Sequence, residues 1–135
     1  MNAPKEHSAG RRNRGEAVIY VVDDEPMLLE LASVILEPLG YTVETFHSPE
    51  TALRAFELAE PPPALVITDY AMHSMTGLTL ASACRRIRPK QKVLLVSGTV
   101  GPDILRGAPV KPDGFLTKPY QAKQFIEAVE AALAA

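Results

Sequence analysis

Hydrophobic positions along this chain follow two alternating patterns. Short, nearly unbroken apolar runs are separated by longer stretches in which apolar residues return every three or four positions. The runs are Ala17–Val22, the segment "ALVIT" that leads into Asp69, and "KVLLVS", which ends at Ser97. A strand that is apolar at every position is buried on both faces, as in a parallel sheet covered by helices. "YTVETF" alternates instead, as a strand nearer a sheet edge does, and "GFLT" is a short fifth strand. The periodic stretches predict helices. Pro26 at a first helical position opens "PMLLELASVILEPLG", where Leu28, Leu31, Ala32, Ile35, Leu36 and Leu39 form a stripe and Gly40 ends it. Ser48 caps "PETALRAFEL", with Pro49 at its first position. "GLTLASACRRIR" is a third helix, and "YQAKQFIEAVEAALAA" closes the chain with Phe125, Ile126, Val129 and Leu133 on one stripe. Between the last two strands the chain is crowded with Gly and Pro, so only about "PDILRG" can be helical. That fourth helix is expected to be short or irregular.

Strands alternating with helices make five βα units and one α/β domain, with helices on both faces of a parallel sheet. The 135 residues, 47% of them hydrophobic, suit one core and leave no room for a second. Residues 1–16, "MNAPKEHSAGRRNRGE", are polar and aperiodic, and are expected to form a disordered tail. The domain then runs from 17 to 135, with no output domain. A net charge of −2 calls for no nucleic-acid or anionic-membrane partner. Cys84 is the single cysteine, which excludes an internal disulfide framework and suits a reducing cytoplasm. No apolar run approaches the roughly 18 residues of a membrane span. The Arg11-Arg12 pair lacks the apolar stretch of a secretion signal.

In open α/β sheets ligands bind beyond the carboxyl ends of the strands. The first strand delivers Asp23 and Asp24 there, the third Asp69, the fourth Ser97 and then Gly98, the fifth Lys118 and then Pro119. Each has an ordinary reading alone: a charged turn, a strand end, a surface lysine. Together they place three carboxylates, a hydroxyl and an ammonium on one rim. Clustered carboxylates suit a hard cation such as Mg²⁺, which takes one or two of them plus waters and a phosphate.

The segments "VVDDEP", "VITDYAMHSMTG", "LLVSGT" and "FLTKPY" resemble, in order and separation, those of the receiver domains of bacterial two-component response regulators. The resemblance covers Val18 to about Leu133. It implies a flavodoxin-like (βα)5 three-layer sandwich with strand order 2-1-3-4-5. It implies that Asp69 accepts a phosphoryl group from a phosphohistidine on a histidine kinase or histidine phosphotransfer protein. Mg²⁺ would be held by Asp24, Asp69 and the backbone carbonyl of Ala71, with Asp23 acting through a water. Ser97 would donate to a phosphoryl oxygen, Lys118 would pair with the phosphoryl charge, and Ser97 and Phe115 would form the switch. The Lys118–Pro119 bond would be cis. Such a domain signals through altered protein contacts, as a monomer or a weak phosphorylation-dependent dimer. It is not an enzyme beyond its own phosphorylation and dephosphorylation, and its downstream target is not named by the sequence. His73 stands where the family usually has proline.

Two wider readings remain. The chain is a stand-alone regulator or phosphorelay shuttle, which the initial Met1 and the tail favour, or the receiver segment of a hybrid histidine kinase. A haloacid-dehalogenase-type phosphatase also uses a strand-end Asp with Mg²⁺, but it needs a second Asp two residues later, where this chain has Ala71. The segment 99–113, poor in apolar anchors, is expected to be mobile without phosphate and ordered with it.

Overall fold

The computed structural model describes residues 17–135; the expected disorder of the tail lies outside them. Five parallel strands form one sheet in the order β2-β1-β3-β4-β5: β1 (Val18–Val22), β2 (Thr42–Phe46), β3 (Leu65–Asp69), β4 (Val93–Ser97) and β5 (Gly114–Thr117). Three helices connect them, α1 (Pro26–Leu36), α2 (Pro49–Leu58) and α3 (Gly77–Ile87), and α4 (Ala122–Ala134) follows the last strand. Between β4 and β5 there is only a 3-10 turn, Pro102–Leu105, as its glycines and prolines dictate.

Alternate residues of each strand face opposite layers. Ile19, Val21, Ile67, Leu94 and Val96 pack beneath α1 and α4, against Leu29, Leu36, Phe125 and Val129. Tyr20, Val22, Val66 and Val93 pack beneath α2 and α3, against Phe56, Leu80 and Cys84. Capping is local: Ser48 Oγ accepts from Thr51 N–H at 3.0 Å, and Thr76 Oγ1 accepts from Thr79 N–H at 3.2 Å. Gly40, at φ 100°, closes the turn after α1.

The stripe expected on α1 largely holds: Ala32 and Leu36 are buried and Leu28, Ile35 and Leu39 half-buried, but Leu31 is exposed and Leu29, outside the stripe, is buried. Leu29, Ala32 and Leu36 are the buried positions, whereas Met27, Leu31 and Val34 are 81%, 42% and 63% exposed. This helix is apolar nearly all round, so periodicity alone does not select the buried face.

The segment before β5 is anchored by Arg85 at the end of α3. Its guanidinium donates to Gln91 O (2.9 Å), Lys111 O (2.6 Å) and Asp113 Oδ2 (2.8 Å). The same Asp113 oxygen accepts from Val93 N–H at 2.8 Å. The stretch 111–113 is therefore tied to α3 and β4, which the expectation of a wholly mobile 99–113 segment did not foresee.

Candidate functional site

Three strand ends and the turns that follow them build the site. At the end of β1, Asp23 N–H donates to Phe46 O (3.0 Å), and the Asp23 carboxylate accepts from Glu25 N–H (2.9 Å). This turn directs Asp23 inward, 6% exposed, and leaves Asp24 on the rim. At the end of β3, Tyr70 N–H donates to Val96 O and Gly77 N–H donates to Tyr70 O, both at 2.8 Å. The start of α3 thereby lies directly behind Asp69. A Cβ on Gly77 would stand 2.4 Å from the Asp69 carbonyl oxygen, so only glycine fits this approach. At the end of β5, Lys118 N–H donates to Ser97 O (2.8 Å), and the Lys118–Pro119 peptide is cis, as the resemblance implies. Gly98 leaves room for the lysine stem, since a Cβ there would lie 3.3 Å from Lys118 Cβ.

Lys118 Nζ lies 3.0 Å from Asp69 Oδ1, 3.3 Å from Asp23 Oδ2 and 3.9 Å from Glu25 Oε1. One carboxylate oxygen from each of Asp23, Asp24 and Asp69 lies within 4.8 Å of the others. These groups open on a cleft of about 320 Å³, bounded by Asp24, Asp69, Ala71, Gly98, Thr99 and Lys118. Three carboxylates thus surround one ammonium, with Asp24 beside them. Burial pushes the Asp69 carboxyl above its usual range, and the charges of Asp23 and Asp24 push the same way against Lys118. For Lys118, burial favours the neutral amine, but the Asp69 hydrogen bond and the charges of Asp23 and Asp69 outweigh it and raise its pKa. Burial also raises the Tyr120 phenol beneath the site.

The oxygen-rich donor set fits a hard divalent cation, because one ammonium leaves most of the carboxylate charge uncompensated. Asp24, Asp69 and the Ala71 carbonyl on the cleft wall are the groups that would hold it, with Asp23 behind them.

Asp23, Asp24, Asp69 and Lys118 come together, then, with Ala71 beside them. Ser97 lies apart. It is 1% exposed, and its Oγ accepts from Thr99 N–H (3.2 Å) and Val100 N–H (3.1 Å). Thr99 is exposed and lines the cleft. Phe115 is half-buried on edge strand β5, opposite Leu95, on the face away from the α1/α4 core that takes Leu116. Sequence reasoning missed Gly77. The signal was a glycine opening a helix where alanine would be preferred.

A sequence model of the response regulator receiver domain matches residues 19–130. The transcriptional regulatory protein KdpE of Mycobacterium tuberculosis is 30% identical over 116 residues, covering 86% of this chain and 50% of that protein. The sensor kinase CckA of Brucella abortus is 32% identical over 117 residues, which are 86% of this chain but 12% of the kinase. The chain thus spans half or less of these curated relatives. The crystal structure of the chemotaxis protein CheY4 of Vibrio cholerae superposes with a TM-score of 0.79 at 25% identity, covering 86% of this chain and 98% of that one. With strand order, strand-end residues and a family match spanning nearly all the described residues in agreement, the chain belongs to the response regulator receiver domains of two-component systems.

Proposed function

We propose that this domain is a phosphoacceptor: Asp69 takes a phosphoryl group from a phosphohistidine on a histidine kinase or histidine phosphotransfer protein, with Mg²⁺ as cofactor. The observation that carries this reading is the Asp69 carboxylate, held 3.0 Å from Lys118 at a strand end between two further acids. One Asp69 oxygen forms the bond to phosphorus as the donor's N–P bond breaks, and the imidazole leaves with the electron pair. Phosphoryl transfer needs mainly positioning and charge neutralisation. The bound cation supplies the second of these, offsetting the repulsion between anionic acceptor and anionic donor. Lys118 holds the acceptor oxygen and pairs with the phosphoryl charge. Gly98 and Thr99 leave the approach open.

The protein partner meets the rim beside Asp24. Met27, Leu31 and Val34 form an exposed apolar stripe at i, i+4 and i+7 on α1, which starts three residues after Asp23. Such a stripe suits a helical partner. Ser97 reaches the phosphoryl group by giving up the Thr99 and Val100 amides, which couples the site to the 98–100 loop, with Phe115 responding by packing. No helix among the described residues is long and apolar enough to cross a membrane, and a cytoplasmic setting fits the buried free thiol.

The reading is tested by labelling with acetyl phosphate and Mg²⁺, followed by phosphate-affinity electrophoresis. Wild type should shift and Asp69→Asn should not. Labelling that persists in the variant would move the acceptor elsewhere.

A further inference from the structure

The loop after Asp69 brings an imidazole to the acid cluster. His73 Nε2 lies 3.9 Å from Asp24 Oδ2. The histidine side chain is 85% exposed and that of Asp24 30% exposed, so both have room to turn. We infer that His73 serves as a nitrogen ligand at this cation site and shifts its preference from Mg²⁺ toward first-row transition cations such as Mn²⁺ and, more strongly, Co²⁺. The inference rests on the proposed cation site at Asp24 and Asp69.

Geometry permits it. Oxygen and nitrogen ligands of a small divalent ion sit about 2.1 Å from it, so two adjacent ones stand about 3 Å apart. Closing the 3.9 Å separation requires a movement of about 1 Å by an exposed side chain on a loop. The chemistry gives the direction. An all-oxygen site with several waters suits Mg²⁺, which is held by one or two carboxylates and keeps its hydration shell. An imidazole that replaces one of those waters adds little for Mg²⁺, but it binds the later first-row metals with increasing strength. The competing role is an exposed imidazole resting against a carboxylate. Such a pair contributes little and leaves metal preference unchanged.

Wild type, His73→Ala and Asp24→Ala are titrated separately with Mg²⁺, Mn²⁺ and Co²⁺ by calorimetry, and electron spin-echo spectra are recorded on the Mn²⁺-loaded proteins. His73→Ala should weaken Mn²⁺ and Co²⁺ about tenfold, within the range seen when a metal's supporting ligands are removed. It should leave Mg²⁺ within about twofold, and the nitrogen modulation of the wild-type spectrum should disappear. Equal effects on all three cations, or no nitrogen modulation in wild type, overturn the role of His73 while the oxygen site stands. Asp24→Ala should weaken every cation. If it weakens none, the proposed cation site itself is wrong, and the inference falls with it.

Discussion

Replacing Gly77 by alanine sets two effects of opposite sign against each other. In an exposed helix interior the change stabilises by up to about 1 kcal/mol, through helix propensity and a less flexible unfolded chain. Here the new Cβ would lie 2.4 Å from the Asp69 carbonyl oxygen and 2.7 Å from Leu95 Cδ1. The leucine methyl can turn aside. The carbonyl cannot, because it belongs to the central strand and accepts from the Thr68 hydroxyl at 3.0 Å. Ordinary contact is about 3.4 Å, so α3 or the end of β3 must move by about 1 Å. Overpacking of this kind costs about 1–3 kcal/mol. A backbone obstacle on a fully buried strand belongs at the upper end. The Gly77 N–H bond to Tyr70 O, 2.8 Å, weakens as well, at about 1 kcal/mol. The net expectation is a destabilisation of about 3 kcal/mol, read as a lower urea midpoint with unchanged slope. A shift of about 1 Å at Asp69 also slows labelling by acetyl phosphate, by up to about 100-fold. If Gly77→Ala is instead more stable by several tenths of a kcal/mol and labels at the wild-type rate, the close approach of α3 to Asp69 is not a real constraint and propensity governs the position.

Arg85→Ala removes three donors that tie α3 to the Gln91 carbonyl and to residues 111 and 113. Discounted for partial exposure, this should cost about 2 kcal/mol in urea melts and speed amide exchange at 111–113 while sparing the α4 amides. Unchanged exchange there would show that the anchor is redundant. Burial pushes the Cys84 thiol up to about 12, so it should resist alkylation by iodoacetamide at pH 9 in the native protein and react fully in urea. Rapid native modification would contradict its place on the buried face of α3. Leu31→Arg should slow phosphotransfer from a cognate kinase roughly tenfold or more, as loss of an interface hot spot does, while labelling by acetyl phosphate stays at wild-type rate. Equal slowing of both would mean that the substitution disturbs the site rather than the docking face.

Sequence and tertiary structure divide the account along a physical line. Strand ends are legible because a doubly buried strand must be apolar throughout, and it stops where the first charge appears. That is why Asp23, Asp69, Ser97 and Lys118 were placed on one rim, and why the glycines and prolines of 98–114 excluded a full helix. The strand order and the role of each site residue came through resemblance to a family, not from pattern. Where pattern was degenerate, only packing decided. Leu28 and Leu31 matched the stripe of α1 as well as Leu29 did, and the sheet beneath buried Leu29. Rotamer and loop geometry decided the rest. The Ser97 hydroxyl turned to the Thr99 and Val100 amides, and His73 came within reach of Asp24 across a span of 49 residues. Arg85 found Asp113 at a separation of 28, with no local signal to announce it. Hydrophobic periodicity reports burial of a chain segment against an average surface. It carries no information about which distant polar groups meet, because that depends on the relative placement of elements that the segment itself does not encode.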